Sequence, residues 1–136
     1  MPELVVAYRS VGFGVARPYL VLHVSGVDGR SGLIPGLIDS GADRTVLPAG
    51  YAALLGYGPE DLEAVQGAQV GGSVTLRNAK KPSRPYVPEI PHVVFDVRPS
   101  FVDGCETALW GRGDIMRQFD VTIRERRQQF VLAWDE

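Results

Sequence analysis

Asp39 carries the clearest chemical signal in this chain. It ends the short apolar run Leu37-Ile38 and is followed by a hydroxyl, a glycine and an alanine, Ser40-Gly41-Ala42. Those neighbours describe a carboxylate at the end of a buried strand with only small residues around it. An acid held in that way can share its proton with a second carboxylate. The other candidate aspartates (Asp28, Asp61, Asp96, Asp103, Asp114, Asp120) are not followed by a hydroxyl and glycine at the end of an apolar strand. The chain therefore encodes one such acid.

Other chemistries find less support. Cys105 is the only cysteine and sits between Asp103 and Glu106, the wrong setting for a thiolate nucleophile. The two histidines, His23 and His92, lie in apolar runs that read as strands, so a Cys–His pair is not expected. No two ligand-type residues have the short spacing of a zinc site, and no metal is expected.

The string Leu37-Ile38-Asp39-Ser40-Gly41-Ala42-Asp43-Arg44-Thr45-Val46-Leu47 resembles the active-site loop of aspartic proteases, which read Asp-Thr/Ser-Gly-Ala. Through Asp43 and Thr45-Val46-Leu47 it is most similar to the retroviral-type branch, the retropepsins. A second segment, Ala108-Leu109-Trp110-Gly111-Arg112, looks like that family's other signature, two apolar residues, then Gly-Arg and a short helix. The resemblance covers roughly residues 18–132.

The resemblance implies an all-β fold: a closed acid-protease-type barrel, a half-barrel from each chain, with one short C-terminal helix. It implies an aspartic endopeptidase without a cofactor. In aspartic proteases the ionised member of a carboxylate pair takes a proton from water and the neutral member donates to the scissile carbonyl. Two carboxylates about 3 Å apart cannot both ionise, which keeps one proton on the pair. With one motif per chain, the second carboxylate must come from a second copy, so a homodimer is implied, with both Asp39 side chains on a two-fold axis. Its partner would be an extended peptide or protein substrate.

Residue by residue, Ser40 matches the hydroxyl that braces the two loops across the dimer. Gly41 matches the residue whose carbonyl faces the substrate backbone, and Ala42 lines the floor beside it. Asp43 matches an acid that contacts the peptide backbone and pairs with an arginine, for which Arg112 is the candidate. Gly111 lets the strands cross beneath the loop. Gly113-Asp114 departs from the family, which often has Asn or Asp directly after the arginine, and adds a flexible glycine at the helix start.

These residues need elements to position them. Tyr19-Leu20-Val21-Leu22-His23-Val24 reads as a strand, Val27-Asp28-Gly29-Arg30 as a turn, and residues 32–38 as the returning strand that delivers Asp39. Residues 48–55 suit one or two helical turns, and Pro59-Glu60-Asp61-Leu62 a turn or short helix start. Residues 65–76 have glycines at the centre and β-formers at the ends, the composition of a hairpin. The resemblance makes that hairpin the flap over the substrate, with Gly67, Gly71 and Gly72 at its tip. Four prolines between 77 and 91 predict an extended loop and no central strand. Residues 92–97 and 108–110 read as strands, Ile115, Met116 and Phe119 as one face of a short helix, and residues 120–123 and 129–134 as a closing hairpin.

Composition bounds the rest. At 136 residues the chain fits one domain spanning 1–136, large enough for an ordinary core. A net charge of −2 without a run of like charge argues against a nucleic-acid partner. Arg124-Glu125-Arg126-Arg127 reads as a solvated turn. No apolar stretch approaches the ~20 residues that span a bilayer, and Met1-Pro2-Glu3-Leu4 lacks a basic signal-peptide start. A cytoplasmic protein without a membrane partner is expected. The competing expectation is a catalytically silent module of the same fold that dimerises or holds a peptide without cutting it.

Overall fold

The computed structural model describes residues 1–12, 14–69 and 72–136. The chain is mostly β, arranged as an eight-stranded sheet that curls into a half-barrel and a separate three-stranded sheet. Strand β2 (Tyr19–Ser25) turns back into β3 (Ser31–Asp39), with Tyr19 opposite Leu37 and Ser25 opposite Ser31. The turn between them carries positive φ at both Asp28 and Gly29. That geometry matches the strand twist and is open to Asp and Gly at little strain. Short strand β4 (Val46–Pro48) follows the Asp39 loop, and β5 (Leu62–Gln69) pairs with β6 (Gly72–Ala79) in a long hairpin. The eight-stranded sheet is completed by β7 (Arg84–Tyr86), β8 (Ser100–Val102) and β9 (Ala108–Gly111).

The sheet runs β5-β6-β8-β4-β9-β3-β2-β7, and among the described residues its two end strands are not paired with each other. One order in that series decides the site. β9 lies between β3 and β4, parallel to the first and antiparallel to the second. The chain leaving β3 at Asp39 must therefore pass over the end of β9 to reach β4.

The core lies between the curled sheet and the C-terminal elements. Leu20, Leu22, Ile34, Ile38, Leu47, Phe101, Trp110, Ile115 and Phe119 pack together there. Trp110 on β9 lies flat against β3, where a side chain at Gly36 would come within 2.7 Å of its ring. Its Nε1–H donates to the Leu20 carbonyl at 2.8 Å. One tryptophan thus joins β9 to both strands of the hairpin that carries Asp39.

Among the described residues there are two α-helical turns and two 3-10 turns, the latter at Pro59–Asp61, where a turn or short helix start was expected, and at Glu125–Arg127. α1 (Tyr51–Leu54) lies within the segment expected to be helical, and α2 (Ile115–Gln118) buries Ile115 as its apolar spacing predicts. α2 is not the only helix and does not end the chain. It leads into β10 (Asp120–Arg124) and β11 (Gln129–Ala133), which pair as the expected closing hairpin around Glu125–Arg127. A further strand, β1 (Glu3–Ala7), pairs with the other side of β11.

Two local expectations need correction. Residues 92–97 form no strand: the segment opens on the turn bonds Ile90 N–H to Val87 O and Val93 N–H to Ile90 O, and only Val97 bridges to Ser83. Its apolar residues are explained by Phe95 and Val97, which reach the core without a ladder. His92 accordingly sits in a turn. The proline-rich stretch contains the short strand β7, at the sheet's edge, where Pro85 removes no interior ladder bond. Three-residue β8 went unrecognised because it is too short to show any alternation.

The base of the β5–β6 hairpin is fixed by Asp61, whose carboxylate accepts from Gly58 N–H at 2.9 Å and faces Lys81 Nζ at 3.1 Å. The Gly58 bond first, and the lysine second, hold this carboxyl below the usual carboxylate range. A lowered folded-state value contributes stability above the unfolded value, and that contribution is lost as pH falls through the folded one. Wild type is expected to lose stability below about pH 4 more steeply than Asp61→Asn, whose amide does not titrate there. Thermal melts of both proteins at pH 7 and pH 3 measure this; parallel losses contradict it. Trp110→Phe removes the indole N–H that ties β9 to the Leu20 carbonyl, which its β3 partner Gly36 still faces in the ladder; the expected cost is about 0.5–1.5 kcal/mol, read from urea unfolding, and an unchanged midpoint contradicts the assignment.

Candidate active site

Asp39 is the last residue of β3, half-buried, just beyond the buried Ile38. Its Oδ1 accepts from Gly41 N–H at 2.9 Å, and its carbonyl accepts from Ala42 N–H at 3.3 Å. A residue bearing a side chain at Gly41 would place its Cβ 3.2 Å from that same oxygen. The small residues after Asp39 therefore let the backbone curl around the acid and hold one oxygen by an N–H. Ser40 and Gly41 are exposed, Ala42 is half-buried, and Asp43 is exposed.

The loop is fastened from below by the segment after β9. At the crossing, a Cβ on Gly111 would lie 2.2 Å from the carbonyl carbon of Arg44, and one on Gly113 would lie 2.6 Å from the Asp43 oxygen. Backbone occupies both positions and cannot swing aside, so both sites require glycine. The close approach permits hydrogen bonds from Arg112 N–H to Ala42 O at 2.7 Å and from Gly113 N–H to Asp43 O at 2.9 Å. Thr45 N–H donates to Asp114 Oδ2 at 2.8 Å, and Gly111 N–H reaches Thr45 Oγ1 at 3.4 Å. Arg112 Nη2 meets Asp43 Oδ1 at 2.7 Å. Both partners of this ion pair are largely exposed, so it orients more than it stabilises.

The expected meeting of Asp43 with Arg112 and the crossing at Gly111 are both present in the geometry. Gly113 is not the flexible spacer expected from sequence, because it fills a position with no room for a Cβ. Two further residues were missed. Thr45 is buried at 2% exposure and accepts from the Gly111 amide. Asp114, instead of capping α2 with its side chain, binds the Thr45 amide. The sequence signals for both were weak: a threonine within a known string, and an aspartate read as a departure from it.

Above the loop lies a cleft of about 690 Å³. Asp39, Gly41, Ala42, Asp43 and Arg44 form its floor. Val46, Leu109 and Val102 line one part, and Gly67, Val74 and Leu76 from the β5–β6 hairpin line another. Gly67 thus faces the same cavity as Asp39; Gly72 begins β6, and Gly71 lies outside the described residues. Cys105 also borders the cleft, its Sγ donating to Thr107 O at 3.0 Å. Among the described residues no group of three metal-ligating side chains occurs, and no helix is long and apolar enough to cross a membrane.

No protein-family profile matches the chain, and no curated protein matches it in sequence. Among solved structures, a retropepsin-like aspartic protease from Rickettsia conorii superposes with a TM-score of 0.65 at 13% identity, over 96% of this chain and 90% of that one. The chain therefore has the retropepsin-like fold.

The crossing yields a sharp test. Gly111→Ala forces backbone apart at the loop, and overpacking of this kind typically costs about 1–3 kcal/mol or more. Gly50→Ala, at a position with open space and helical φ, is the control. Thermal melts are expected to show a large loss for the first variant and almost none for the second. Equal melting temperatures would contradict the close approach.

Proposed function

We propose that the chain is an aspartic endopeptidase acting as a homodimer, with one Asp39 from each copy activating water between them. One observation carries this reading: Asp39 opens onto the cleft, while the other two cleft carboxylates, Asp43 and Asp103, are bound to Arg112 and Arg77. A general base and a general acid are both needed, and a single acid in this cleft supplies only one of them. A second copy related by a two-fold axis supplies the other and pairs two half-barrels into a barrel. The retropepsin-like fold supports the same arrangement.

In this reading the ionised Asp39 takes a proton from water as it attacks the peptide carbonyl, and the protonated Asp39 of the second copy donates to the carbonyl oxygen. As the C–N bond breaks, the first Asp39 passes the proton it took from water to the leaving amine, and the second takes a proton back from a hydroxyl of the intermediate, which restores the carbonyl and the singly protonated pair. Ser40 braces the paired loops, and Gly41 leaves its backbone open to the substrate. The Asp43–Arg112 pair orients a carboxylate toward the substrate's backbone. The β5–β6 hairpin, with Gly67 and Gly72 near its end, serves as the flap that covers the peptide and excludes water. The substrate lies extended, as an added strand with alternate side chains in separate pockets. No cofactor or metal enters the reaction.

Asp39→Asn is expected to keep the fold and lose cleavage by several orders of magnitude, since an amide neither activates water nor shares a proton. Wild-type cleavage is expected to peak at mildly acidic pH and to fall where the pair loses its single proton. Peptide hydrolysis followed by mass spectrometry from pH 3 to 9, for both proteins, makes the test. Normal turnover by Asp39→Asn, or a wild-type rate still rising above neutrality, contradicts the proposal.

A further inference from the structure

One basic side chain in the cleft forms no ion pair among the described residues. Arg44 lies in the loop that begins at Asp39, is exposed, and borders the same cavity. Apart from Asp39, the other cleft charges are matched, Asp43 by Arg112 at 2.7 Å and Asp103 by Arg77 at 3.0 Å. Among the described residues, Arg44 forms no salt bridge. Its backbone, by contrast, is held on every side. Gly111 presses against its carbonyl carbon, Asp114 binds the amide of Thr45 after it, and Gly113 binds the carbonyl of Asp43 before it.

A guanidinium displayed from a fixed base, beside a cleft walled by Val46, Val102 and Leu109, suits a carboxylate. Arginine's planar fork meets a carboxylate with two parallel N–H bonds. Apolar walls lower the local dielectric once a ligand fills the space, which strengthens the pairing beyond that of an open surface.

We propose that Arg44 selects an aspartate or glutamate side chain in the peptide that occupies the cleft. The inference rests on the endopeptidase reading above and names a substrate feature within it. The acidic side chain belongs nearer Arg44 than Asp39, because the catalytic pair carries negative charge. Two-fold symmetry adds a consequence: each copy contributes one Arg44, so the preference falls on both sides of the scissile bond at equal distances from it. Such a peptide carries an apolar centre flanked by acids.

The test uses the full chain and matched peptides with Glu, Gln or Lys scanned through the positions on either side of one scissile bond. At one position per side, kcat/KM for Glu is expected to exceed that for Gln by about tenfold, with the ratio shrinking as salt is raised. Arg44→Ala is expected to bring the Glu-to-Gln ratio to about one, and Arg44→Glu to shift preference toward Lys. Cleavage by wild type without a Glu preference overturns this inference and leaves the endopeptidase reading standing. So does an unchanged ratio in Arg44→Ala accompanied by a weaker dimer, which would mean that Arg44 pairs with an acid of the second copy. A wild type that cleaves no peptide of the series defeats the endopeptidase reading, and this inference with it.

Discussion

The loop from Asp39 to Thr45 crosses the end of β9 with no space for a side chain between the two backbones. That contact at Gly111 is the constraint on which the site depends. It follows from strand order: β9 lies between β3 and β4, so the connection from one to the other has to pass over it. With glycine at 111 and 113, the crossing segments come close enough for four amide hydrogen bonds and one ion pair. The acid is thereby fixed by backbone, which has fewer ways to move than side chains do. In the proposed dimer such a base matters doubly, because an error in one loop is repeated in the other.

Trp110 extends the same constraint into the core. Its ring covers Gly36 on β3, and its indole N–H reaches the Leu20 carbonyl on β2. The hairpin that delivers Asp39 and the strand that supports the loop are thus locked by one side chain. Pairing β9 with β3 in parallel requires a long excursion between them, and the β5–β6 hairpin is part of that excursion. The element that walls the cleft from above is a by-product of the topology that fastens it from below.

Much of this was legible in the residues, for reasons that differ by element. Asp39 and Arg112 could be found because their neighbours are constrained by chemistry and by close packing, which leave short, distinctive strings. The β2–β3 and β10–β11 hairpins could be found because alternation and turn residues agree there. Residues 92–97 misled because Phe95 and Val97 are apolar for core contact and not for a ladder. Strands β1 and β8 escaped because five or three residues carry little periodicity, and partners distant in sequence decide their state. Gly113 looked like slack because steric need and flexibility produce the same letter, and only the position of the Asp43 carbonyl separates them. Arg44 drew no attention for a related reason: an unmatched charge is visible only when its neighbours' partners are known.

In the proposed function a single chain holds half of a catalytic pair. Following peptide cleavage and the dimer fraction together over a dilution series, by activity assay and analytical ultracentrifugation, addresses it most directly. Specific activity is expected to fall in proportion to the dimer as the protein is diluted, and to return on reconcentration. Undiminished specific activity in a sample that sediments as monomer would contradict the shared site.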